Sequence, residues 1–167
     1  MAKVLFINPV IREEDAPRHV PYGMALLASL AMKERHLVQV YDANAWRFGD
    51  EVLGQVLEAD EWDVVATGGI TTAYGYIKKI CQAAEQHAPN ALMVAGGGFL
   101  TSMPRDIMRL IPQIDIGVVG EAFVTFNEIL AQVDADRLEL EKIQGIICRA
   151  TDERLRMTPE RMLLEDL

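Results

Sequence analysis

Short apolar runs, rich in β-branched residues, recur at positions 4–7, 37–41, 64–66, 92–95 and 114–119. Runs of this length bounded by turn-forming residues read as strands buried on both faces. Between them, segments 23–32, 51–58, 74–86, 102–110 and 123–133 carry the apolar spacing of helices. Strand and helix alternate five times, with strand starts near 3, 37, 63, 91 and 114. That interval is close to the ~30 residues of a βαβ unit. The pattern predicts an α/β fold: a doubly wound, flavodoxin-like or Rossmann-like five-stranded parallel sheet, helices on both faces, right-handed connections.

The rhythm breaks after about residue 135. A polar stretch is followed by apolar runs at 143–149 and 154–157, separated by Ala150-Thr151-Asp152-Glu153. Two short strands around such a loop predict a C-terminal β-hairpin. The expected organisation is an α/β domain over 1–140 and a hairpin with linker over 141–167.

The chain has 167 residues, half of them apolar and a quarter charged, which suits one globular core. With 25 acidic and 16 basic residues, the net charge is -9. Such a balance repels a phosphate backbone and gives no footprint for nucleic acid or an anionic membrane. No stretch approaches the ~18 apolar residues of a membrane span. Cys81 and Cys148 stand alone, without the spacing of a disulfide framework, a zinc site or an iron-sulfur site. These features predict a cytoplasmic protein whose partner is a small molecule or another protein.

Six of the twelve glycines fall in three places: Gly68-Gly69, Gly96-Gly97-Gly98 and Gly120. Each is the carboxyl end of a predicted strand, the edge at which parallel sheets bind ligands and where glycine admits a close backbone approach. The alternative is that these glycines only make tight turns. The adjoining loops read Ile70-Thr71-Thr72 and Phe99-Leu100-Thr101-Ser102. Their hydroxyls can meet a phosphate or amide, or simply cap helices. Glu121, ahead of Thr125, can cap a helix, meet a polar ligand edge or favour the helix dipole.

Familiar sites of this architecture are absent. The first strand is followed by Asn8-Pro9-Val10-Ile11 rather than GxGxxG; no GxxxxGK[ST] occurs; the third strand ends in Thr67-Gly68-Gly69 rather than an aspartate. No GxSxG elbow or paired nucleophile and base is present, so no catalytic residue is assigned. Instead, residues 8–21 form a fourteen-residue first loop, far longer than the ~2 to 6 usual for a βα connection. It carries His19, a metal ligand or a solvated side chain, and leads into Pro21-Tyr22-Gly23.

Several pieces, in this order and spacing, carry a resemblance: Lys3-Val4-Leu5-Phe6-Ile7-Asn8-Pro9, Val20-Pro21-Tyr22-Gly23-Met24-Ala25-Leu26-Leu27-Ala28, Tyr41-Asp42-Ala43, Gly68-Gly69-Ile70-Thr71-Thr72, Ala95-Gly96-Gly97-Gly98 and Gly117-Val118-Val119-Gly120-Glu121. Over nearly its whole length the chain resembles the amino-terminal cobalamin-binding domain of cobalamin-dependent radical SAM enzymes. The resemblance implies a corrin over the carboxyl edge of the sheet and a nucleotide tail in a groove lined by the third and fourth loops. The cofactor-binding residues it implies are Pro21, Tyr22, Gly68, Gly69, Ile70, Thr71, Thr72, Gly96, Gly97, Gly98, Phe99, Gly120, Glu121 and Thr125.

The DxHxxG of classical cobalamin domains is replaced here by Asp15-Ala16-Pro17-Arg18-His19-Val20-Pro21-Tyr22-Gly23. The radical SAM relatives often lack that motif too, so the resemblance implies base-off cobalamin with the first loop over its lower face and His19 or a neighbour as the candidate axial ligand to cobalt. Two isolated cysteines cannot form the CxxxCxxC of a radical SAM cluster. The implied S-adenosylmethionine and iron-sulfur cluster therefore belong to a radical SAM domain in cis, and the whole to a methyltransferase. The competing reading is a stand-alone interaction or regulatory domain without cobalamin.

Overall fold

The computed structural model describes residues 1–14, 16, 20–47, 49–150 and 154–162. Five parallel strands form as the apolar runs predict: β1 (Lys3–Asn8), β2 (Leu37–Asp42), β3 (Val64–Gly68), β4 (Leu92–Gly96) and β5 (Ile116–Val118). Their order is β2-β1-β3-β4-β5, with the chain reversing its winding between β1 and β3. Loops part at such a switch point and leave a crevice at the strands' carboxyl ends.

Among the described residues the sheet has seven strands rather than five. Strands β6 (Ile146–Arg149) and β7 (Leu155–Met157) form the expected hairpin, but β6 pairs antiparallel with β5. The hairpin thus continues the sheet instead of hanging from it. Ile147 and Cys148, both buried, supply the apolar surface that makes β6 an inner strand.

Along β1, β3 and β4, alternate side chains enter two cores, so these strands read as continuous apolar runs. Val4, Phe6, Ala66, Val94 and Val118 face helices α1 (Tyr22–Lys33) and α7 (Phe123–Asp134). Leu5, Ile7, Val65 and Met93 face α3 (Asp50–Glu58) and α4 (Tyr74–His87), reached after the four-residue α2 (Ala43–Trp46). The expected helix over 102–110 is two helices, α5 (Gly98–Ser102) and α6 (Pro104–Leu110). Met103 breaks them at φ -141°, because the residue before a proline is driven out of the helical region. Helix α2 was not foreseen; the Asp42 carboxylate caps it by accepting from the Ala45 N–H at 3.0 Å. Among the described residues no helix is long and apolar enough to cross a membrane.

Candidate functional site

Helices α1 and α7 do not close over the ends of the central strands. Between them lies a groove of about 530 Å³, within the ~300–1,000 Å³ usual for small-molecule sites. Its floor is Phe6, Ala66, Val94 and Val118, one side chain from each of β1, β3, β4 and β5. Pro21, Tyr22, Met24 and Leu27 line one wall; Ala122, Phe123 and Phe126 line the other. At the carboxyl edge it opens among Asn8, Ile11, Gly68, Gly69, Ile70, Gly96, Gly97, Gly120 and Glu121.

The structure gathers Pro21, Tyr22, Gly68, Gly69, Ile70, Gly96, Gly97, Gly120 and Glu121 around this groove. Thr71 and Thr72 lie outside its lining, exposed in a 3-10 turn, as does Gly98 at the start of α5. Phe99 is fully buried in the core on the opposite sheet face. Thr125 is also fully buried; its hydroxyl donates to the Gln144 carbonyl (3.1 Å) and accepts from Arg161 Nε (2.9 Å). His19 lies outside the described residues. The floor, and Met24, Leu27, Ala122, Phe123 and Phe126 of the walls, escaped sequence reasoning, although a signal existed for the floor. Ala66, Val94 and Val118 each stand two residues before a strand-end glycine, and period two puts i and i-2 on one face.

The glycines have different reasons. A Cβ on Gly68 would lie 2.1 Å from the Gly96 carbonyl oxygen, and one on Gly97 2.8 Å from both the nitrogen and the oxygen of Gly69. These two serve the protein's own backbone, since β3 and β4 converge there. Gly97 also sits at φ +94° and Gly120 at φ +83°, in the region that favours glycine. Gly96 differs: its added Cβ would meet only Val118, at an ordinary 3.5 Å.

The beginning of the long first loop is tied to α2 by polar side chains. Buried Asn44 accepts from the Ile11 N–H at 3.1 Å through Oδ1. Arg47 donates to the carbonyls of Asn44 (2.6 Å), Arg12 (2.8 Å) and Glu13 (3.0 Å). Asp42 accepts from the Asn8 amide at 2.7 Å. Farther across, the Tyr76 phenol is held above its usual range by its hydrogen bond to the Glu13 carboxylate. Among the described residues no three His, Cys, Asp or Glu side chains converge as a metal-ligand set.

The site is thus a predominantly apolar groove at the carboxyl edge of the sheet, with glycines at its rim. Residues 9–130 match the family model described as B12 binding domain, and the chain belongs to that family. It is 29% identical over 169 residues to the "Uncharacterized methyltransferase PH0819" of Pyrococcus horikoshii, covering 99% of this chain and 36% of the relative. It is 25% identical over 173 residues to the anaerobic magnesium-protoporphyrin IX monomethyl ester cyclase of Synechocystis sp., covering 96% and 33%. The fold matches that of the radical S-adenosylmethionine methyltransferase TsrM from Kitasatospora setae, solved with cobalamin and a [4Fe-4S] cluster bound. There the TM-score is 0.82 at 20% identity, covering 99% of this chain and 30% of TsrM. The chain thus spans about a third of the length of these proteins, and cobalamin is the cofactor of its domain type.

Proposed function

We propose that this B12-binding domain holds cobalamin base-off, with the corrin over the carboxyl edge of the sheet and the nucleotide tail in the groove between α1 and α7. The observation that carries the reading is the groove itself, an apolar channel running from the rim at Gly68, Gly96 and Gly120 down over Val94 and Val118. Pro21, Tyr22, Gly69, Ile70, Gly97 and Glu121 line the same opening, where the tail enters. Thr71 and Thr72 in the exposed 3-10 turn, and Gly98 exposed at the start of α5, would meet the amide side chains of the corrin. Phe99 and Thr125 support from behind. The first loop covers the lower face of the corrin, with His19 the candidate ligand to cobalt.

When bound, cobalamin supplies a cobalt centre able to carry and release a methyl group. The chain's own task is to bind that group, orient it and shield its lower face. The chain contains no CxxxCxxC, so S-adenosylmethionine and an iron-sulfur cluster would be held by a radical SAM domain joined to it, in a cytoplasmic methyltransferase. The test is to mix the protein with hydroxocobalamin, desalt it and record the spectrum. Retained corrin absorbance with a raised melting temperature is expected; a colourless protein refutes the reading. His19→Ala then decides the lower ligand, because a shift of the corrin bands makes His19 that ligand and an unchanged spectrum excludes it.

A further inference from the structure

The groove can discriminate as well as bind. Phe6, Val94, Val118 and Phe126 are each 2% exposed, and Ala66 is 5% exposed. Floor backbone is committed to the sheet, as in the β1–β3 pair Phe6 with Ala66 and the β4–β5 pair Val94 with Ile116. Two polar residues of the strand ends reach the lining and each already donates a hydrogen bond within the protein, while Glu121 stands at the carboxyl rim, away from the floor. The Asn8 amide donates to Asp42 at 2.7 Å, and the Thr67 hydroxyl donates to the Ile7 carbonyl at 2.8 Å. A ring seated on this floor therefore meets methyl, methylene and aromatic surface.

We infer that the groove selects the lower base of its cobamide, favouring a dimethylbenzimidazole over an adenine. This rests on the proposed placement of the nucleotide tail in the groove. The far edge of a dimethylbenzimidazole carries two methyl groups, which gain by leaving water. The corresponding edge of adenine carries an exocyclic amine and ring nitrogens, which lose water here without gaining a partner. An unsatisfied buried polar group weakens binding by about 10- to 100-fold.

The experiment titrates the full chain with three corrinoids: cobalamin, the adenine-bearing cobamide, and cobinamide, which lacks the nucleotide. Dissociation constants are read from equilibrium dialysis. Cobalamin binds tightest, the adenine form about 10- to 100-fold more weakly, and cobinamide also weakly. If both complete cobamides bind alike and cobinamide binds weakly, the selectivity is refuted while the groove still holds the tail. If all three bind alike, the tail is not in the groove, and the placement falls together with the inference. Val94→Thr and Val118→Thr each add a hydroxyl to the floor at nearly constant volume. At least one should narrow the gap between the two complete cobamides threefold or more, leaving cobinamide binding unchanged. A gap that neither variant moves assigns the discrimination elsewhere and overturns the inference.

Discussion

Gly96→Ala and Gly68→Ala, taken as a pair, separate glycine kept for a ligand from glycine kept for the protein's own backbone. At Gly96 the new methyl meets Val118 at 3.5 Å, and its φ is not positive, so alanine fits the strand. Such a replacement stabilises by about 0.4–1 kcal/mol through the unfolded chain. At about 2–4 °C per kcal/mol for a domain of this size, the cofactor-free protein gains about 1–4 °C. The same methyl stands in the groove lining, where overpacking against a bound tail costs about 1–3 kcal/mol, or roughly 5- to 150-fold in affinity. With hydroxocobalamin at about 100 times the wild-type Kd, binding stabilises the wild type by about 2.7 kcal/mol. A tenfold loss of affinity cuts that to about 1.4 kcal/mol. Gly68→Ala behaves oppositely, because a Cβ 2.1 Å from the Gly96 carbonyl forces β3 and β4 apart. It lowers the cofactor-free melting temperature by about 6 °C or more, corresponding to at least about 3 kcal/mol. Thermal melts of both variants with and without hydroxocobalamin give every quantity. An unchanged cofactor-induced shift in Gly96→Ala refutes the groove placement, and a wild-type melt for Gly68→Ala refutes the account of the converging backbones.

Arg47→Ala removes the guanidinium from the carbonyls of Arg12, Glu13 and Asn44. Amide exchange at Ile11 should accelerate about tenfold while global stability drops by no more than about 1–2 kcal/mol; unchanged exchange would show that the loop is held elsewhere. The Cys81 thiol is pushed by burial from 9.0 to about 12, so the folded state keeps its proton more tightly than the unfolded one. Its stabilisation is full below pH 9 and is lost as pH rises from there toward 12, at up to about 1.4 kcal/mol per pH unit. Cys81→Ala should flatten the alkaline limb of melting temperature against pH, and at pH 8 Ellman's reagent should label neither buried cysteine of the wild type until urea is added.

The inner strands β1, β3 and β4 were legible because both faces of the sheet are covered there, so the runs 4–7, 64–66 and 92–95 are apolar throughout and stand out from their surroundings. The rim of the groove was legible for a related reason: glycine clusters where backbones converge, whatever the ligand, and Gly68 and Gly97 report that convergence directly. The direction of a side chain was less legible. Phe99 follows three glycines, yet as the second residue of α5 it packs into the far core. The floor residues were read simply as core, since Val94 and Val118 have the same chemistry whether helices cover them or leave a channel above them. The place of the hairpin depended on non-local pairing between β5 and β6, which no local pattern encodes.

That pairing bears on how a groove with apolar walls stays open, since Met24, Leu27 and Phe123 would gain by closing on one another. The start of α7 is restrained from the side away from α1. The Val119 N–H donates to the Gly145 carbonyl at 2.8 Å, and the Thr125 hydroxyl donates to Gln144. Arg161 reaches back to both Thr125 and the Glu128 carboxylate. The Gly145 N–H donates to the Pro159 carbonyl at 2.8 Å, which ties the segment after β7 into the same cluster. Strand β6 lies on the opposite side of β5 from β4, so these bonds hold the first turns of α7 toward the hairpin. A hydrogen bond broken inside this partly buried cluster leaves a polar group unsatisfied, a cost comparable to what two apolar walls would gain by touching. Gln144, Gly145, Pro159 and Arg161 therefore brace one wall of the groove, and Thr125 serves as the joint between α7 and the segments flanking the hairpin.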